Sequence, residues 1–177
     1  MLRKRLEEMT QVEDVTQHAA LLMEISRSCP NTIVFVASPY PLGRYTCAMH
    51  VFGFAEEPEY AAIAERGFNR VFAGSAFVHW LIENCLLAEL RPSDVNEGDL
   101  VMYFNDEGRF KHAGLMCGKD RVVSKWGTGH LFNHGFLEVP DSYGSTLRFF
   151  KKLPYGEAYV YFRRFATENG MLFAEAR

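Results

Sequence analysis

The chain has no C-x-x-C pair, no run of about 18 apolar residues, no internal repeat and no low-complexity segment. Each absence removes a class. Without paired cysteines or a His/Cys cluster at zinc spacing, neither a zinc-ribbon nor a dithiol redox site is expected. No metal and no cofactor are expected either. Without a long apolar run, no membrane-spanning helix is expected. The start, Met1–Glu8, is charged and no apolar core follows it, so no secretory signal is expected. A cytoplasmic protein follows, or one exported by a route that leaves no cleavable signal. An excess of basic charge is also missing: the formal net charge is −3 and the pI about 6.1. A nucleic-acid-binding surface is therefore not expected as the main function. The short run Arg3-Lys4-Arg5 reads as a solvated helix face.

What is present supports one sizeable core. Of 177 residues, 48% are apolar and 23% charged, which suits a single folded domain. The 15 Phe and 8 Tyr belong mostly to that core. The domain is expected to span 1–177, with an N-terminal helix, 1–27, as an extension.

The first half of the chain carries helical spacing. Leu6, Met9, Val12, Val15, Ala19, Leu22 and Ile25 recur every three or four residues and predict one helix over Leu2–Ser26. Thr32–Ala37 is rich in β-branched residues and predicts a strand. A helix is predicted from Cys47 to Phe54, and helical segments over Tyr60–Leu90, interrupted near Gly67 and Gly74. After Asn96 the period falls to two. Strands are predicted at Leu100–Tyr103, Lys111–Cys117, Arg121–Lys125, Phe136–Val139 and Leu147–Lys151, with a last helix over Glu157–Thr167. Asn105–Gly108 and Gly118–Asp120 read as hairpin turns. Helices first and antiparallel strands after make an α+β order.

Two residues stand out from this frame. Cys47, in Tyr45-Thr46-Cys47-Ala48-Met49-His50, opens an apolar helix. His112 begins the strand that follows the first hairpin turn. A cysteine on an apolar helix is ordinarily a small buried hydrophobe. At the start of a helix it meets positive partial charge and unpaired N–H donors, which favour the thiolate and lower its pKa. Thr46 is placed to cap that helix with its hydroxyl. Cys29, Cys85 and Cys117 lack such a context and read as core or loop residues.

The runs Gly98-Asp99-Leu100-Val101-Met102-Tyr103 and His112-Ala113-Gly114-Leu115-Met116-Cys117-Gly118 resemble the G-D-L-V…H-V-G-I-Y-x-G block of the NlpC-like branch of papain-fold cysteine peptidases. The resemblance spans about Tyr45 to Lys151. It implies a papain-like α+β fold, with a helical part packed on a small antiparallel β-barrel. It also implies a thiol-dependent hydrolase, cleaving an amide or peptide bond or transferring an acyl group. Cys47 would be the nucleophile, His112 the base, and Ser124, twelve positions after His112, the residue that orients the imidazole. Tyr45, beside the cysteine, would line the substrate pocket. The sequence departs from the family pattern twice. Thr46-Cys47-Ala48-Met49-His50 stands where D-C-S-G-F is usual, and Ser stands where His, Asn or Gln is usual.

Around this set the residues leave alternatives open. His50, one turn after Cys47, reads as a core histidine or as another partner for the thiol. His130 and His134 read as surface or substrate-loop residues, and Lys125 as pointing to the opposite sheet face from Ser124. The substrate is a peptide, isopeptide or acyl compound. The two departures equally allow a papain-fold binding or regulatory module that has lost activity. A toxin or effector acting on a host or rival protein is a third reading.

Overall fold

The computed structural model describes residues 1–42, 46–64, 67–68 and 71–171. The helices are α1 (Leu2–Thr10), α2 (His18–Ser28), α3 (Cys47–Phe52), α4 (Pro58–Ala64), α5 (Ala73–Glu83) and α6 (Tyr155–Glu168). The strands are β1 (Val34–Val36), β2 (Gly67–Phe68), β3 (Val71–Phe72), β4 (Glu89–Leu90), β5 (Leu100–Phe104), β6 (Phe110–Gly118), β7 (Arg121–Lys125), β8 (Leu131–Gly135) and β9 (Thr146–Phe150). Seven strands form one antiparallel sheet in the order β1-β8-β7-β6-β5-β9-β4, while β2 and β3 make a separate small hairpin. The fold is α+β.

The sheet is open rather than a closed barrel. Its edge strands are short: β1 pairs with β8 over three residues and β4 with β9 over two. Among the described residues no ladder joins the two edges. Both faces are covered, which the alternation along β5 makes possible. Leu100, Met102 and Phe104 face a core shared with Met49, Phe52, Phe54, Phe77 and Phe162, the side chains of α3, α5 and α6 and the loop after α3. Val101 and Tyr103 face a second core with Leu6, Met9, Leu22 and Ile25 of α1 and α2. The N-terminal helices thus pack on that face of the sheet.

Four elements differ from the expectation. The single helix over Leu2–Ser26 is two helices, because Asp14 accepts a hydrogen bond from the N–H of Thr16 and starts a new turn at Val15. The Tyr60–Leu90 region includes the β2–β3 hairpin near Gly67 and the short edge strand β4. The strand expected at Phe136–Val139 is a turn, closed by the N–H of Glu138 on the carbonyl of Gly135 at 3.0 Å. The strand β8 lies instead at Leu131–Gly135, in the segment that read as a Gly-rich connection.

The histidine block has its own structural logic. Gly98 sits at φ +88, where only glycine is comfortable. Asp99 is buried, accepts the N–H of Asn96 at 2.9 Å and pairs with the Lys151 ammonium at 2.9 Å. At Gly114 a Cβ would fall 2.4 Å from Cγ1 of Val122, so glycine lets β7 approach β6.

Candidate active site

Helix α3 lies across β6 and β7 and presents its first residue, Cys47, to the place where those strands part. The β6–β7 ladder runs from Gly118 opposite Arg121 to Gly114 opposite Ser124 and stops there. His112 and Ala113 lie beyond it. The N–H groups of Ala113, Ala48 and Cys47 itself lie near enough to the Cys47 sulfur to favour its thiolate. Thr46 holds the N-cap position with extended backbone (φ −108, ψ 177), and its carbonyl accepts the first helical bond, from His50, at 3.0 Å. Its hydroxyl makes no capping bond, contrary to expectation.

His112 is buried at 1% exposure, opposite Tyr103 of β5 on the face covered by α1 and α2. Its ring stacks on Tyr143, with centroids 4.0 Å apart and planes at 21°. Its Nε2 has no hydrogen-bond partner among the described residues. No hydrogen bond between the Cys47 sulfur and the His112 ring is present among them either. The fold therefore brings Cys47 to the backbone beside His112, without an ion pair.

Charge follows burial here. Burial pushes the Cys47 thiol up from its ordinary value, against the opposing pull of the surrounding N–H groups. The lowered value expected from a helix start does not arise, because burial outweighs the N–H donors of that start. Burial likewise takes His112 well below the ordinary histidine value, helped by nearby His134 and His50. At neutral pH both groups are uncharged.

Ser124 sits where the sequence led, on the strand next to β6 and on the same face as His112, but it bonds elsewhere. Its Oγ lies 2.7 Å from Nε2 of His134 and receives the Trp126 indole N–H at 3.0 Å. His134 Nδ1 lies 2.8 Å from the carbonyl of Gly135. A carbonyl only accepts, so Nδ1 carries the proton and Nε2 accepts from the serine hydroxyl. Burial holds His134 down at about 4, consistent with this neutral ring. The network Trp126–Ser124–His134 is complete, and all three residues are buried. His134 is thus no surface residue.

Lys125 does point to the opposite face. It is buried, and its ammonium donates to the carbonyls of Thr128 and Gly129, drawing the following turn together. Burial lowers it to about 8. His50 is half-buried and held at about 4 by burial, then by Lys152 and Lys125. His130 lies against Phe35, with ring centroids 4.7 Å apart. Tyr45 lies outside the described residues. Cys29 is buried and Cys117 half-buried; Cys85 is exposed, at φ +54 just past α5. Tyr143, not among the candidate site residues of the sequence, contacts His112 directly. Its signal is a Tyr-Gly pair after Pro140, legible only once the turn is known to fold back onto the sheet.

Among the described residues no group of three His, Cys, Asp or Glu side chains could hold a metal ion, and no helix is long and apolar enough to cross a membrane. No family model, curated protein or solved structure matches the chain.

Proposed function

We propose that this chain is a thiol-dependent hydrolase or acyl transferase acting at an amide bond, of the NlpC-like, papain-fold kind. The observation that carries the reading is the nearness of the Cys47 sulfur to the N–H of Ala113, the residue after His112. Cys47 meets the backbone of the residue after His112 at the end of one strand ladder, while the His112 ring lies on the face covered by α1 and α2. In the reaction, His112 takes the thiol proton as sulfur attacks the carbonyl carbon. The proton then passes to the leaving amine, giving a thioester that water or a second amine resolves. The N–H groups of Ala113, Ala48 and Cys47 are the available donors to the developing oxyanion. The substrate class is a peptide, isopeptide or acyl compound.

A second reading, a papain-fold binding module without activity, draws on one observation: Ser124 is committed to His134 and leaves His112 without it. Acid-quenched reaction with p-nitrophenyl acetate, followed by peptide mass spectrometry, separates the two. An acetyl group should form on Cys47 and turn over. His112→Ala should slow its formation by about 100-fold or more, the usual contribution of a general base. Acetylation of Cys47 no faster than that of Cys85, and indifferent to His112→Ala, would leave only the binding module.

A further inference from the structure

Tyr143 ends the short 3₁₀ turn Asp141–Tyr143 and packs on one member of the candidate pair, His112. Its ring lies on the His112 imidazole at 4.0 Å. Burial first, then the charge Cys47 can carry, push the phenol above its ordinary value, while the N–H of Gly127 pulls it down. Trp126 stands edge-on to the same ring, 6.4 Å away at 89°.

The turn is held from α1. The Arg3 guanidinium donates to the carbonyls of Pro140 (3.3 Å), Asp141 (3.2 Å) and Gly144 (2.6 Å), and pairs with the Asp141 carboxylate at 3.5 Å. The Glu7 carboxylate accepts both the N–H of Ser142, at 3.0 Å, and its hydroxyl. Gly144 closes the turn at φ +86, so near the sheet that a Cβ would fall 2.3 Å from the carbonyl oxygen of Phe104. The turn has no room to slide.

A general base needs an orienting partner. In a Cys-His pair this is usually a hydrogen bond to the far ring nitrogen. His112 Nε2 has no partner among the described residues, and Ser124 is taken by His134. Two rings remain to fix the imidazole: Tyr103, tilted at 48° with centroids 5.5 Å apart, and the closer, stacked Tyr143. Building on the hydrolase reading, we propose that Tyr143 is a positioning residue. Its ring sets the plane of the His112 imidazole, and α1 sets that ring through Arg3 and Glu7. The N-terminal helix thereby becomes part of the site's support.

The test compares Tyr143→Leu, Tyr143→Phe and Arg3→Gln with wild type and His112→Ala. Two quantities are read: the NMR titration midpoint of the His112 ring, and the pH profile of Cys47 acetylation by p-nitrophenyl acetate. Tyr143→Leu removes the stack and opens the ring to water. The His112 midpoint should move toward the ordinary histidine value, and acetylation at pH 7 should fall about tenfold. Tyr143→Phe keeps the stack, so its midpoint should stay and its rate change less than about threefold. Arg3→Gln should give a smaller shift in the direction of the leucine variant. An unmoved His112 midpoint in Tyr143→Leu overturns the positioning role. Should that variant not fold, an unmoved midpoint in folded Arg3→Gln does so. Acetylation unaffected by His112→Ala refutes the hydrolase reading instead, which keeps the two failures apart.

Discussion

Replacing Ser124 with alanine should cost stability before it costs chemistry. The serine oxygen receives the Trp126 indole N–H at 3.0 Å and lies 2.7 Å from His134 Nε2, and all three groups are buried. Ser124→Ala creates almost no cavity but strands one donor and one acceptor. A buried polar group left without its partner costs about 1–3 kcal/mol. Two such groups give about 2–6 kcal/mol, with the lower half more realistic if a water enters. Near 3 kcal/mol, a chain of this size should lose roughly 6–12 °C in melting temperature. Thermal unfolding followed by circular dichroism at pH 7 measures this. The fluorescence of Trp126 should change with it, as its N–H loses an acceptor. The Cys47 acetylation rate, taken well below the transition, should stay within about threefold of wild type. If Ser124 instead orients His112, the melting temperature would hold within about 2 °C while acetylation falls by tenfold or more. That outcome would refute the Trp126–Ser124–His134 network as the serine's role.

Two further outcomes follow. Acid should unfold the protein early. His134 titrates at about 4 when folded against an ordinary 6.5, so the unfolded chain binds the proton more readily; stability is full above about pH 6.5 and is lost as pH falls toward 4. This group alone contributes about 3 kcal/mol to that loss, with His112 and His50 acting in the same direction, and denaturant melts at pH 7, 6 and 5 should show a falling midpoint, where a flat one would contradict the buried neutral rings. Gly144→Ala should destabilise by about 2–4 kcal/mol through positive φ and a Cβ pressed on the Phe104 carbonyl, which the same melts would read.

Much of the architecture was legible because periodicity reports burial directly. The change from period 3.6 to period two after Asn96 marks the start of the main β-region, and Arg121–Lys125 is a strand as expected. The helix beginning at Cys47 was legible from its apolar run. The break between α1 and α2 was not, since the spacing of apolar residues continues through it while one carboxylate, Asp14, restarts the backbone. The strand β8 was hidden by glycines and histidines that read as a loop; its side chains pair with β7, where Val122 faces His134. That register decides the partner of Ser124, and no local pattern in the sequence contains it. Tyr143 escaped for the same reason, because its contact with His112 depends on a turn anchored by α1.

Cys85 has a practical bearing on all of this chemistry. It sits just past the end of α5, where the N–H of Leu86 closes on the carbonyl of Leu81 at 2.9 Å, in a left-handed conformation that glycine or asparagine usually fills. It is also the exposed thiol among the four cysteines. A bulk count of reactive sulfhydryls would therefore be dominated by a helix terminator, while Cys47 stays neutral and half-enclosed. Exchanging Cys85 for asparagine suits the backbone there and removes the louder signal, so that whatever sulfur chemistry remains is read from inside the fold.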